Sequence, residues 1–150
     1  MLLPTLRGVI MSSKKILIVD DNPVVLKALS IKLTANGYEV VTAKDGSEAV
    51  SAVRRVHPNL ILLDISFPPD VGHGGGVAWD GFLIMSWMKR IEEAKTTPFI
   101  VISAGDPVEF KERALAAGAM NYFQKPVDNE ELFTAIRHAL DEDAESEPMV

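Results

Sequence analysis

Residues 14 to 23 read KKILIVDDNP, and this stretch decides how the rest of the chain is read. The run Ile16 to Val19 is continuously apolar. A strand covered on both faces looks like that, whereas a half-exposed strand alternates polar and apolar positions. The run stops at Asp20 and Asp21, where Asn22 can cap a helix and Pro23 suits its first position. A buried strand that turns at once into a helix through an acidic pair opens a βα unit.

Working outward, Leu26, Leu29 and Leu33 recur at helical spacing up to Gly37, which can end the helix in a left-handed conformation. A second strand follows at Tyr38 to Ala43, and residues 46 to 55 read as a helix with Ala49, Ala52 and Val53 inward. Leu60 to Asp64, LILLD, is a third buried strand, and a Gly-rich loop follows it. The pattern then predicts a helix from about Asp80 to Ala94, a strand at Phe99 to Ser103 and a helix from Pro107 to Ala117. A fifth strand at Met120 to Gln124 leads through Lys125 and Pro126 to a last helix, capped by Asp128 and striped by Leu132, Ile136 and Leu140. Strands alternating with helices in this way specify an α/β fold on a parallel sheet.

With 150 residues, 47% hydrophobic and 24% charged, the composition suits one soluble globular domain. The absence of cysteine excludes disulfides, thiolate metal sites and cysteine nucleophiles. A net charge of −6 argues against a nucleic-acid surface and favours protein or small-molecule partners. The expected organisation is a loose extension at 1–13, with Met11 a second possible start, a domain at 14–140 containing a Gly-rich insertion at 65–79, and an acidic tail at 141–150. Residues 1–10 are too short to span a bilayer and lack a secretory signal's features, so no membrane association is expected.

In an open parallel sheet the functional crevice lies beyond the carboxyl ends of the strands. Asp20 and Asp21 end the first strand, Asp64 the third and Ser103 the fourth, and Lys125 follows the fifth, so all five point to one rim. Three carboxylates gathered there repel one another unless protonated or neutralised by a cation. Oxygen ligands of this hardness suit Mg²⁺. A carboxylate can attack phosphorus to give an aspartyl phosphate. Lys125 and the Ser103 hydroxyl would then stabilise the transferring oxygens. Taken singly, each residue has a plainer reading: a helix cap for Asp20 and Asp21, a turn former for Ser103, a solvated loop charge adding little to stability for Lys125, a core aromatic for Tyr122. His57, His73 and His138 are not at metal-ligand spacing and read as surface residues, and GHGGG at 72–76 is not followed by the Gly-Lys-Ser/Thr of a phosphate-binding loop.

The segments KKILIVDDNP, HPNLILLDISFP, FIVISAGD, ALAAGAM and NYFQKPVD, in that order, resemble the receiver domains of bacterial response regulators over residues 14 to 140. The resemblance implies a doubly wound, flavodoxin-like (βα)5 fold with strand order 2-1-3-4-5. It implies Asp64 as phosphoacceptor, and metal ligation by Asp21, Asp64 and the backbone carbonyl of Ser66, with Asp20 acting through a metal-bound water. Ser103 and Tyr122 correspond to the switch pair, Lys125 to the phosphate-binding lysine, and the Lys125–Pro126 bond is expected to be cis. The implied function is a cytoplasmic signalling switch, not an enzyme in its own right. It would take phosphate from a sensor histidine kinase or His-containing phosphotransfer protein and act on a separate downstream partner without binding DNA, with Tyr122 turning inward on phosphorylation. Two other readings stay open. One is a phosphorylation-independent adaptor. The other is an aspartyl-phosphate phosphatase, disfavoured because the haloacid dehalogenase-like pattern needs an Asp where Ser66 stands.

The chain departs from the family after Asp64. Pro68 matches, but the Asp80–Gly81 pair arrives late by roughly nine residues, and a Gly-rich insertion of that kind belongs on the surface. If Ile84, Met88 and Ile91 face the sheet, Leu83 and Trp87 face outward. An outward Leu–Trp pair is either covered by the insertion, Trp79 included, or a contact site for another molecule, and cover is the expectation for Trp87.

Overall fold

A computed structural model describes residues 14–65, 81–104 and 107–140. The expectations for 1–13, for Ser66, Pro68, His73 and Trp79 within the insertion, for Asp80 at the start of the third helix, and for 141–150 lie outside these residues. Five parallel strands, β1 (Lys15–Val19), β2 (Glu39–Ala43), β3 (Leu60–Asp64), β4 (Phe99–Ser103) and β5 (Asn121–Gln124), form one sheet in the order β2-β1-β3-β4-β5. The helices are α1 (Pro23–Ala35), α2 (Gly46–Val56), α3 (Gly81–Met88), α4 (Pro107–Ala116) and α5 (Asn129–Ala139).

The apolar runs at the centre of the sheet are sorted by the period of two. Leu17, Val19, Ile61, Leu63, Phe99 and Val101 face one core, under α2, α3 and α4. Their neighbours Ile16, Ile18, Leu60, Leu62, Ile100 and Ile102 face a second core, under α1 and α5. Both faces are covered, so β3 and β4 are buried at every position, while the edge strands β2 and β5 are partly exposed.

The punctuation read from the sequence operates as expected. The Asn22 side chain accepts hydrogen bonds from the amides of Val24 (2.9 Å) and Val25 (3.4 Å), capping α1. At its other end Gly37 has φ 96°, its amide donates to the Thr34 carbonyl and that of Tyr38 to the Leu33 carbonyl. This is a Schellman closure, and it needs the left-handed residue that glycine supplies. Asp45 and Asp128 cap α2 and α5 through the amides of Glu48 and Glu130, both at 2.9 Å.

One element differs. The predicted helix to Ala94 ends as an α-helix at Met88, and three-residue turns continue it, with the amides of Arg90, Ile91, Ala94 and Thr97 donating to the carbonyls of Trp87, Met88, Ile91 and Ala94. Such turns eclipse every third side chain. Ile91, Ala94 and Thr97 are all buried at that spacing, so core burial selects the tighter winding ahead of Pro98. Within α3, Ile84 and Met88 are buried as expected, but Trp87 is 40% exposed rather than largely shielded.

Candidate functional site

Strand register builds the site. Val19 is level with Leu63, and Asp64 with Ile102, so Asp20 and Asp64 leave adjacent strands at the same height. Ser103 is level with Gln124, and the amide of Lys125 donates to the Ser103 carbonyl at 2.9 Å, which places the lysine one step above the rim. The Lys125–Pro126 peptide is cis.

Asp20 and Asp64 are buried, 3% and 5% exposed, and Asp21 is exposed. One carboxylate oxygen from each of the three lies within 4.8 Å of the others. Lys125 Nζ donates to Asp20 Oδ2 at 2.9 Å and to Asp64 Oδ2 at 3.2 Å. Burial raises the Asp20 carboxyl above its ordinary value. The amide of Asn22, which donates to Oδ1 at 2.9 Å, and Lys125 oppose the rise, and the neighbouring Asp64 charge adds to it. Burial alone would lower Lys125, but the carboxylates of Asp20 and Asp64 more than offset it, and its ammonium is held above the ordinary lysine range. Three carboxylates share one bridging lysine among the described residues, so the site carries more negative than positive charge. Three hard oxygen donors converging there are the donor set for a divalent cation that keeps water positions.

Ser103 is fully buried at the end of β4. Tyr122 packs against the core beneath α2, α3 and α4, and its hydroxyl is buried with no hydrogen-bond partner among the described residues. The ring is therefore already inward, where the sequence reading had it turn inward on phosphorylation. His57 and His138 are exposed and apart from the site, as expected. Sequence reasoning missed two supports. The Asn22 amide orients Asp20, a role visible only once the turn is built. A Cβ on Gly81 would stand 2.2 Å from the Ile65 Cα, so α3 begins in backbone contact with the residue after Asp64.

The family model that matches this chain is described as the response regulator receiver domain, and it spans residues 16–137. The chain belongs to that family. This receiver domain is 35% identical over 127 residues to the transcriptional regulatory protein KdpE of Mycobacterium tuberculosis, covering 83% of this chain and 50% of the relative. It thus spans about half the length of such curated relatives. Among solved structures, a CheY-like receiver domain protein from Methanospirillum hungatei superposes with a TM-score of 0.74 at 29% identity, covering 88% of this chain and 97% of that one. The receiver domain of the sensor histidine kinase PA1611 from Pseudomonas aeruginosa does so with 0.72 at 27% identity, covering 86% and 98%, and carries a magnesium ion in its active-site cleft. The fold expected from the resemblance, five parallel strands in the order 2-1-3-4-5, is the fold found. The receiver domain is a signalling module of two-component systems. Among the described residues no helix is long and apolar enough to cross a membrane.

Proposed function

We propose that the domain is a phosphorylation switch in which Asp64 accepts a phosphoryl group from a phosphohistidine on a sensor kinase or phosphotransfer protein. The observation that carries this reading is the bridging of two buried carboxylates by Lys125, with the exposed Asp21 carboxylate close enough to share a cation with them. A carboxylate oxygen of Asp64 attacks phosphorus. The phosphorus–nitrogen bond of the donor breaks, its electron pair returns to the imidazole, and Asp64 becomes an acyl phosphate. Mg²⁺ held by Asp21 and Asp64, with Asp20 through water, would supply the positive charge that phosphoryl oxygens require. The backbone carbonyl of Ser66, the remaining ligand implied by the resemblance, lies outside the described residues.

Lys125 moves its ion pair from the Asp64 carboxylate to the new phosphoryl oxygens, and the Ser103 hydroxyl donates to another of them. The readout is a shift of β4, β5 and Tyr122. A buried hydroxyl without a partner costs about 1–3 kcal/mol, so the inward ring is balanced against an alternative placement, and a small displacement of Ser103 can bias it. The domain assists its own phosphorylation but turns over no separate substrate. It acts in the cytoplasm and passes the signal to a separate protein, and the net charge of −6 favours that over direct DNA contact.

Incubation with a small phosphoryl donor and Mg²⁺, followed by intact-mass measurement, tests the proposal. One phosphoryl group should add to the parent chain and none to Asp64→Asn or to the parent in excess chelator. A gain that persists in Asp64→Asn assigns the acceptor elsewhere.

A further inference from the structure

Helices that return between parallel strands all end at the pole opposite the Asp rim. Their last turns carry Lys32 on α1, Arg54 and Arg55 on α2 and Arg137 on α5, whereas the Arg113 side chain of α4 reaches back to Phe82 at the start of α3. Basic residues there complement the helix dipoles. At this pole Arg54 and Arg55 border a groove of about 600 Å³ between α2 and α3, whose apolar floor is Val50 and the half-exposed ring of Trp87, with Ser47 and Ser51 beside them. Neither arginine has a carboxylate partner among the described residues. Glu39, Glu92 and Glu93 stand at the same pole, Glu92 paired with Lys95 at 3.1 Å, and none of them lines the groove.

The chain leaves its last described residue at this pole. Lys14 Nζ donates to the Leu140 carbonyl at 3.1 Å, and the next residue, Lys15, exchanges hydrogen bonds of 2.8 Å with Asn59, just beyond the end of α2. Residues 141–150, DEDAESEPMV, hold five carboxylates and no cation, then Met149 and Val150. Ten residues reach at most about 33 Å, ample to pass from Leu140 to the end of α2.

We infer that the α2–α3 groove is a docking surface for this chain's own residues 141–150, the carboxylates meeting Arg54 and Arg55 and the apolar end covering Trp87. Charge decides the direction. The acidic segment is repelled by the rim of Asp20, Asp21 and Asp64 and attracted to Arg54 and Arg55, which have no carboxylate partner among the described residues and stand beside an apolar floor. The short tether makes the contact intramolecular and so favourable at a modest intrinsic affinity. The inference does not depend on phosphorylation of Asp64.

The test uses the full chain with Trp79→Phe, which leaves Trp87 as its sole tryptophan. Removing residues 141–150 should red-shift Trp87 emission and raise its quenching by acrylamide, and the synthetic peptide DEDAESEPMV should reverse both. In the full-length chain, Arg54→Glu with Arg55→Glu should reproduce the truncation, as should salt at about 1 M, where the screening length falls to roughly 3 Å. Circular dichroism of each variant separates loss of docking from loss of fold. Three outcomes overturn the inference. One is equal quenching with and without 141–150. Another is quenching that responds only to shortening of the insertion, which makes the insertion the occupant. The third is protection that grows with protein concentration, which assigns the groove to the segment of a second copy.

Discussion

At the scale of single residues, the site concentrates opposing demands on Lys125. Read from sequence it is a rim charge that adds little to stability, but its side chain is only 25% exposed and its ammonium is the cation between two buried carboxylates. Lys125→Met in chelator should therefore cost roughly 1–3 kcal/mol in denaturant unfolding, the range for leaving buried acceptors unsatisfied. Addition of Asp20→Asn should recover part of it. The raised carboxyl of Asp20 has its own signature. Its folded value lies above the unfolded one of 3.8, so the native state binds the extra proton. In chelator, stability from this group falls as pH rises from about 4 through the folded value, and is flat above it. Melting curves of the parent against Asp20→Asn across that window should show the decline in the parent alone. Lys125 acts at the opposite end of the scale. Its contribution is complete below 10.5 and is lost as pH rises through its higher folded value.

At the scale of elements, the start of α3 is in backbone contact with the residue that follows the proposed acceptor. Gly81 is held against the backbone of Ile65, and Phe82 packs on Phe110 of α4 with the Arg113 guanidinium 3.8 Å from its ring centre. Ile65 and Gly81, the described residues on either side of 66–80, therefore meet beside Asp64. Gly81→Ala would need α3 or the Ile65 backbone to move, an overpacking that costs about 1–3 kcal/mol. Because Ile65 follows Asp64 directly, this substitution should lower both the melting temperature and the rate of phosphorylation from a small donor. An unchanged rate alongside a lowered melting temperature would confine Gly81 to packing. The same contact joins the described residues that flank 66–80, Ile65 and Gly81, whatever the length between them.

At the scale of the whole molecule, the sheet gathers acids at one pole and the helices gather bases at the other, and ligand linkage should expose the acidic pole. A cation that binds only the folded state stabilises it by about 2.7 kcal/mol at a hundredfold excess over its Kd. Mg²⁺ should therefore raise the melting temperature of the parent, and Asp21→Asn should lose most of that gain while melting like the parent in chelator. The sequence by itself determined the order of elements, their caps and the strand ends that carry Asp20, Asp21, Asp64, Ser103 and Lys125. These follow from local signals: continuous apolar runs, Asn22 and Asp128 at helix starts, Gly37 at a helix end. It also placed those residues on one rim, because the C-terminal ends of parallel strands share a side of the sheet. Tertiary structure alone decided what each does there. The lysine spans two buried carboxylates because strand register sets their heights. The Tyr122 hydroxyl is buried because β5 lies against the core under α4. The second half of the predicted third helix winds tightly because Ile91, Ala94 and Thr97 must all reach the interior. Burial and register are relations between segments far apart in the chain, and no local pattern encodes their distances.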